Sequence, residues 1–203
     1  MMARHDARLG LYIGGEWLGV DGRDTSPVLD PATGAELARL PLATDEDLDR
    51  ALEAAQRGFE LWRTTPGEQR AEILMRTAAL LQERAEHLAT LATLEQDKIK
   101  AEALLEVNFG ASLLKFHAGE AMRIWGRVLP RAPGSRSLVL PQPIGPVAAF
   151  CAWNFPIMNV LRKLGPALAA GCSIIIKPSE ETPGSAVEVL RCFADAGLPG
   201  GVA

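Results

Sequence analysis

Cysteine is scarce in this chain. There are three in 203 residues, Cys151, Cys172 and Cys192. So few, and an odd number, exclude a disulfide framework, and none has a Cys or His partner at zinc-finger spacing. Unpaired thiols fit a reducing compartment, so the expected location is the cytoplasm. Long hydrophobic runs are also missing. The most apolar stretches, Pro146–Ala152 and Ile174–Ile176, fall far short of the ~20 residues a bilayer-spanning helix needs. The segment Met1–Arg8 is polar and charged, without the apolar core of a secretory signal. No basic block occurs: 21 basic and 25 acidic side chains give a net charge of −4, which argues against a phosphate backbone as partner. His5, His87 and His117 are scattered, with no paired metal ligand or triad spacing. Neither G-x-G-x-x-G after a strand nor G-x-x-x-x-G-K-[ST] is found.

What is present is a foldable α/β chain, 48% hydrophobic and free of low-complexity tracts. Leu11–Ile13, Gly14-Gly15 and Glu16–Leu18 read as a hairpin. Asp30-Pro31-Ala32-Thr33-Gly34 is a turn between Val28-Leu29 and Glu36–Leu40. Thr44 and Asp47 form a capping box, and Leu48, Leu52, Ala55, Phe59 and Trp62 recur at helical spacing behind it. Thr65-Pro66-Gly67-Glu68 predicts a second helix start, with Thr65 as cap and Pro66 at the first helical position, leading to Ile73, Leu74, Leu81 and Leu88. A further helix is expected from Leu104 through Val107, Ala111, Leu114, Ala118 and Ala121 to Trp125, stopped by Gly126. All these stripes read as core packing.

Beyond Arg127 the pattern changes. A connection rich in Pro and Gly precedes a strand at Ser137–Leu140. A small-residue strand, Val147–Ala152, is followed by a helix over Ile157–Ala170 with a break at Gly165-Pro166. Then come a β-branched strand, Ser173–Lys177, and a helix opened by Thr182-Pro183 and closed at Gly197. Strand, helix, strand, helix with short links is a βαβα unit with parallel strands. Ligands in such sheets bind at the carboxyl ends of strands. Two polar, Pro-fixed turns stand there: Trp153-Asn154-Phe155-Pro156 and Lys177-Pro178-Ser179-Glu180. Spacing alone favours the plainer reading, in which Asn154 caps the next helix and Lys177 is a solvated strand end.

The residues themselves carry more. Pro143-Ile144-Gly145-Pro146-Val147, Trp153-Asn154-Phe155-Pro156, the run Arg162–Cys172, Lys177-Pro178-Ser179-Glu180 and Thr182-Pro183 strongly resemble the aldehyde dehydrogenase superfamily. Tyr12–Trp17, Asp30–Gly34 and Leu94-Glu95-Gln96 with Lys98 resemble its N-terminal region. The resemblance covers nearly the whole chain, in order. It implies a thiolate attack on an aldehyde, hydride transfer to nicotinamide and hydrolysis of a thioester. By the match, Asn154 is the oxyanion donor and Phe155 lines the aldehyde channel. Trp153, Lys177, Ser179 and Glu180 belong to the cofactor site. Glu180 would accept from ribose hydroxyls and repel a 2′-phosphate, so NAD is expected over NADP. Arg162 resembles the arginine that takes the distal carboxylate in succinate-semialdehyde dehydrogenases, with a solvated helix arginine as the alternative. Lys163 matches a family position near the reacting centre and is a weaker site candidate. No metal is expected.

The resemblance also implies the N-terminal part of the aldehyde dehydrogenase fold, with an incomplete parallel Rossmann-like sheet. Residues 1–142 would hold the hairpins, the helical region and the start of the oligomerisation strands (Arg127–Gln142), and residues 143–203 a partial NAD-binding βαβα unit. The full enzyme would be a homo-oligomer acting on a small-molecule aldehyde, without nucleic acid or membrane. The expected catalytic cysteine, the general-base glutamate and the catalytic domain are not in this stretch. The three cysteines read as small buried hydrophobes. The expectation is therefore a truncated chain, inactive alone. The alternative is a non-catalytic fragment or association module that works with a complementing chain. Two departures from the family pattern, Asp97 for a glycine and Ile99 for a proline, are expected to lie away from the chemistry.

Overall fold

The computed structural model describes residues 5–203, so Met1–Arg4 of the polar N-terminus lie outside the described residues. Two antiparallel hairpins come first. β1 (Leu11–Ile13) pairs with β2 (Glu16–Leu18), and β3 (Thr25–Leu29) with β4 (Glu36–Pro41). Gly14 and Gly15 both take positive φ, as a two-residue hairpin turn of the Gly-Gly kind requires.

Four helices follow: α1 (Asp45–Trp62), α2 (Gly67–Glu83), α3 (Ala85–Gln96) and α4 (Lys100–Ala121). The capping box on α1 is complete, with Thr44 Oγ1 accepting from the Asp47 backbone and the Asp47 carboxylate accepting from the Thr44 backbone. Its buried face, however, is Ala54, Ala55, Gly58 and Trp62, and Leu48 and Leu52 are exposed. Thr65 does not cap α2. Its hydroxyl donates instead to the Leu61 carbonyl at the end of α1, and Pro66 takes the N-cap place without a side-chain bond. The stretch expected as one helix through Leu88 turns at Arg84, which separates α2 from α3. α4 ends at Ala121, four residues before the expected Trp125, and that indole is largely exposed.

β5 (Arg127–Leu129) and β6 (Ser137–Val139) form an exposed antiparallel hairpin. The chain then enters β7 (Val147–Phe150), α5 (Pro156–Ala170), β8 (Ile174–Lys177) and α6 (Pro183–Asp195). β7 and β8 are parallel neighbours, in register from Val147 opposite Ile174 to Phe150 opposite Lys177. On the other side of β8, the Ile174 N–H donates to the Val202 carbonyl at 2.9 Å. α5 runs unbroken through Gly165-Pro166. Pro166 lies on its exposed face, where the carbonyl it leaves unbonded meets water. Gly165 allows α4 close, because a Cβ there would come within 2.8 Å of the His117 ring.

One apolar core joins these parts. Leu74, Leu81, Leu88, Val107, Leu114, Leu161, Leu164, Ile174 and Phe193 are all fully or almost fully buried in it. Trp62 closes its edge, burying its ring while its indole N–H donates to the Leu168 carbonyl at 2.9 Å. The helical region and the βαβα unit are thus packed as one body, which is why residues on α3 and α4 reach the loops at the strand ends.

Candidate active site

The register of β7 and β8 sets the geometry. Phe150 lies opposite Lys177, so the turns that leave the two strands start side by side, about 5 Å apart in the hydrogen-bonding direction. The Trp-Asn-Phe-Pro and Lys-Pro-Ser-Glu turns therefore share one edge of the sheet, at its carboxyl end.

Each turn feeds a helix with a proline at its start, Pro156 in α5 and Pro183 in α6. Neither helix has a side-chain cap of its own, and both N-termini need acceptors for their free N–H groups. Two buried glutamates from the helical region supply them. Glu106 on α4 accepts from the N–H groups of Ile157 and Met158, each at 2.8 Å. Glu95 on α3 accepts from the Gly184 N–H at 2.6 Å, the Ser185 N–H at 2.9 Å and the Ser185 hydroxyl at 2.8 Å. His5 also contacts Glu95, at 3.0 Å. Negative charge at a helix N-terminus is favourable for the helix dipole as well as for the individual bonds.

Asn154 therefore caps nothing. Its side-chain oxygen accepts from Asn159 Nδ2 at 3.2 Å. Its backbone carbonyl accepts from both Gln96 Nε2 and Lys98 Nζ, each at 3.2 Å. Lys98 in turn pairs with Glu106 at 2.6 Å and sits over the Phe155 ring, 4.4 Å from its centroid. Phe155 and Trp153 are both exposed. Arg162 is exposed on the outer face of α5, beyond Asn159, and Lys163 beside it donates to the Asn159 carbonyl at 3.4 Å. On the second turn, Lys177 and Glu180 form an exposed ion pair at 2.5 Å, and Lys177 holds the Glu180 carboxyl below its usual range. Ser179 is buried, its Oγ accepting from the Glu181 N–H at 3.3 Å.

Trp153, Asn154 and Phe155 are thus brought to one sheet edge with Lys177, Ser179 and Glu180, whereas Arg162 stands roughly two helical turns further along α5. The sequence points to neither Glu106 nor Asn159, and to Glu95 only as part of the Leu94-Glu95-Gln96 match, without a role. A signal existed for the glutamates: each interrupts an otherwise apolar helix face, and the two proline-started helices lack caps of their own. Asp97 corrects an expectation. Among the described residues it is the non-glycine residue with positive φ, at +61°, in the turn between Gln96 and Lys98, both of which hold the Asn154 carbonyl. The position is next to the candidate chemistry, and its left-handed backbone explains why a glycine suits it.

The three cysteines are free and buried. Burial pushes the Cys151 thiol up, and pushes that of Cys192 up to about 11. A cavity of about 390 Å³ lies elsewhere, between Arg63, Arg70, Met122 and Gln142. Among the described residues no group of acidic, His and Cys side chains is placed to hold a metal, and no helix is long and apolar enough to cross a membrane.

A doubly capped βαβα unit with polar turns at its carboxyl edge is the arrangement in which parallel α/β sheets bind their ligands. The chain belongs to the aldehyde dehydrogenase family, whose model matches residues 17–203. It is 48% identical over 193 residues to 4-(hydroxymethyl)benzenesulfonate dehydrogenase of Comamonas testosteroni, covering 95% of this chain and 40% of that protein. It is 40% identical over 191 residues to an NADP(+) succinate-semialdehyde dehydrogenase of Escherichia coli, covering 94% and 40%. The crystal structure of succinate-semialdehyde dehydrogenase from Burkholderia pseudomallei superposes with a TM-score of 0.93 at 42% identity, over 97% of this chain and 41% of that one. The chain thus spans about 40% of the length of these relatives. The family is one of oxidoreductases that use NAD or NADP.

Proposed function

We propose that this chain is the oxyanion-binding and nucleotide-binding part of an enzyme that oxidises an aldehyde with a distal anionic group to the carboxylic acid. The observation that carries this reading is the register of β7 and β8, which sets Asn154 and the Lys177–Glu180 pair on one edge. Asn154 donates a side-chain N–H to the oxygen that becomes negative when a thiolate adds to the aldehyde. One such donor is worth about 3–4 kcal/mol of barrier. Phe155 lines the aldehyde's path. Residues 143–203 are the start of the nucleotide-binding domain, and residues 1–142 its helical and oligomerisation support.

The donor set fits a dinucleotide. Trp153 is exposed, Lys177 and Glu180 form an ion pair with each other at the surface, and Ser179 fixes the turn that carries them. Glu180 accepts from ribose hydroxyls and repels a 2′-phosphate, which supports NAD over NADP. The nicotinamide, when bound, supplies the hydride acceptor. Arg162 reads the anion at the far end of the substrate. The names of the relatives include both a sulfonate and a carboxylate, and a guanidinium fork suits either.

Alone, the 203-residue chain does not turn over, because its three thiols are buried and the family's nucleophile context is absent. It serves as a partner to the remaining part of the enzyme. Three unpaired buried thiols fit a cytoplasmic setting. Val128, Leu138, Leu140 and Ile144 are exposed on and beside the β5–β6 hairpin, which supports assembly into a homo-oligomer.

The test is a chimaera in which residues 1–203 replace the matching 40% of the Comamonas relative. We expect aldehyde-dependent NADH formation, faster with carboxylate- or sulfonate-bearing aldehydes than with neutral ones. A folded chimaera without turnover would refute the reading. A higher kcat/KM with NADP would refute the cofactor preference alone.

A further inference from the structure

We propose that Asn159 is the positioning residue that decides which end of the Asn154 amide faces outward. The logic is one of donors and acceptors. Asn159 Nδ2 lies 3.2 Å from the Ala152 carbonyl oxygen. A carbonyl only accepts, so this contact fixes Asn159 with its NH₂ toward β7 and the Asn-Phe turn. The same nitrogen lies 3.2 Å from the nearer atom of the Asn154 amide. That atom must then be the oxygen, because two NH₂ groups cannot share a hydrogen bond without an acceptor. Asn154 is left with its own NH₂ turned away from α5 and free of a partner among the described residues.

The backbone is held as firmly as the side chain. Gln96 and Lys98 both donate to the Asn154 carbonyl, and Glu106 pins the first turn of α5, from which Asn159 projects. Lys163, one turn on, donates to the Asn159 carbonyl. On this fixed backbone the Asn154 side chain keeps its two torsions, and the contact with Asn159 is what restrains them. An acceptor in place of Asn159 would reverse the amide, turning its oxygen outward and its N–H groups inward.

This inference rests on the aldehyde reading, since only an outward N–H serves an oxyanion. Its test does not require turnover. The side-chain amide of Asn154 is assigned in the ¹⁵N-labelled chain as the signal lost in Asn154→Asp. Asn159→Asp and Asn159→Ala are then compared with the parent. In the parent, both Asn154 amide protons exchange freely with water. In Asn159→Asp one of them should move downfield and exchange at least about tenfold more slowly, as it donates to the new carboxylate. Acidification that protonates the introduced carboxylate should reverse this. In Asn159→Ala the signals should move toward those of a freely rotating amide. A residue that merely supports the Ala152 carbonyl would shift backbone signals and leave the Asn154 side chain unmoved. Identical Asn154 side-chain signals in all three proteins would overturn the proposal. An inactive chimaera beside the expected NMR result would instead count against the aldehyde reading.

Discussion

The carboxylate of Glu106 lies 2.8 Å from the backbone nitrogen of Ile157, across 51 residues of sequence. The bond joins the middle of the helical region to the first turn of the helix that follows the candidate oxyanion donor. Glu95 repeats the device on α6, where its carboxylate meets the nitrogens of Gly184 and Ser185. Both helices begin with proline, which sets the entry of the chain but brings no capping side chain. The helical region therefore supplies the acceptors, and with them the orientation of both polar turns.

Removing Glu106 should be costly. Lys98 has a side chain only 8% exposed, and Glu106→Ala would leave its charge buried beside two uncapped N–H groups. The expected loss is about 3–5 kcal/mol in urea denaturation. Lys98→Met should cost less, because the carboxylate keeps both backbone bonds to α5. If Lys98→Met proved the more damaging of the two, the ion pair rather than the cap would be the main support.

Asp97 carries a backbone conformation at φ +61° that a glycine adopts more easily. Asp97→Gly should stabilise the chain by about 0.5–1 kcal/mol, net of the larger entropy glycine gives the unfolded state. A lower denaturation midpoint for Asp97→Gly would mean that the aspartate side chain does more for the turn than its backbone costs.

Local signals in the sequence were enough to place the hairpins, the capping box of α1 and the parallel strand pair. Those features depend on neighbours a few residues apart: Gly14-Gly15, Thr44 with Asp47, and apolar runs between turns. The errors fall where packing or a helix end overrides the local pattern. Leu48 and Leu52 continue an apolar stripe on α1, yet the small residues Ala54, Ala55 and Gly58 face the core, because close approach there matters more than side-chain volume. Trp125 continues the period of α4 after the helix has ended. Gly165-Pro166 has the composition of a break, but the glycine serves helix contact and the proline faces water. The turns of the candidate site were legible as motifs. The supporting roles of Glu95, Glu106 and Asn159 were not, because their partners lie across the fold or depend on rotamers.

Asp47 makes stability depend on pH. The Arg23 guanidinium, followed by the Thr44 backbone, holds its carboxyl well below the usual carboxylate range. A depressed carboxyl adds stability that is fully present above its unfolded value, about 3.9, and is lost as the pH falls toward the folded one. The gap in urea midpoint between the parent and Asp47→Asn should be flat above about pH 5 and shrink below about pH 4. A gap unchanged to the acid limit of folding would show that the bonds do not depend on the charge.

Arg162 is exposed and has no ion-pair partner among the described residues, so its guanidinium is available to a ligand. In the chimaera, Arg162→Leu should raise KM for anionic aldehydes about tenfold, the equivalent of one charge-assisted hydrogen bond. Neutral aldehydes should change little. Equal effects on both would reduce Arg162 to a solvated helix residue and remove the anion from the proposed substrate.

The thiols decide what the chain can do unaided. A nucleophilic cysteine must be reachable and at least partly thiolate near neutral pH. Cys151, Cys172 and Cys192 are buried, and burial pushes the thiols of Cys151 and Cys192 up rather than down. Native chain mixed with a thiol-reactive disulfide reagent should therefore label slowly, and denatured chain should take up three equivalents at once, one for each cysteine. Under the same native conditions, aldehyde and NAD should give no NADH. A cysteine that labels as fast in the native chain as in the denatured one, together with aldehyde-dependent NADH, would place a working nucleophile within these residues and remove the need for a complementing part.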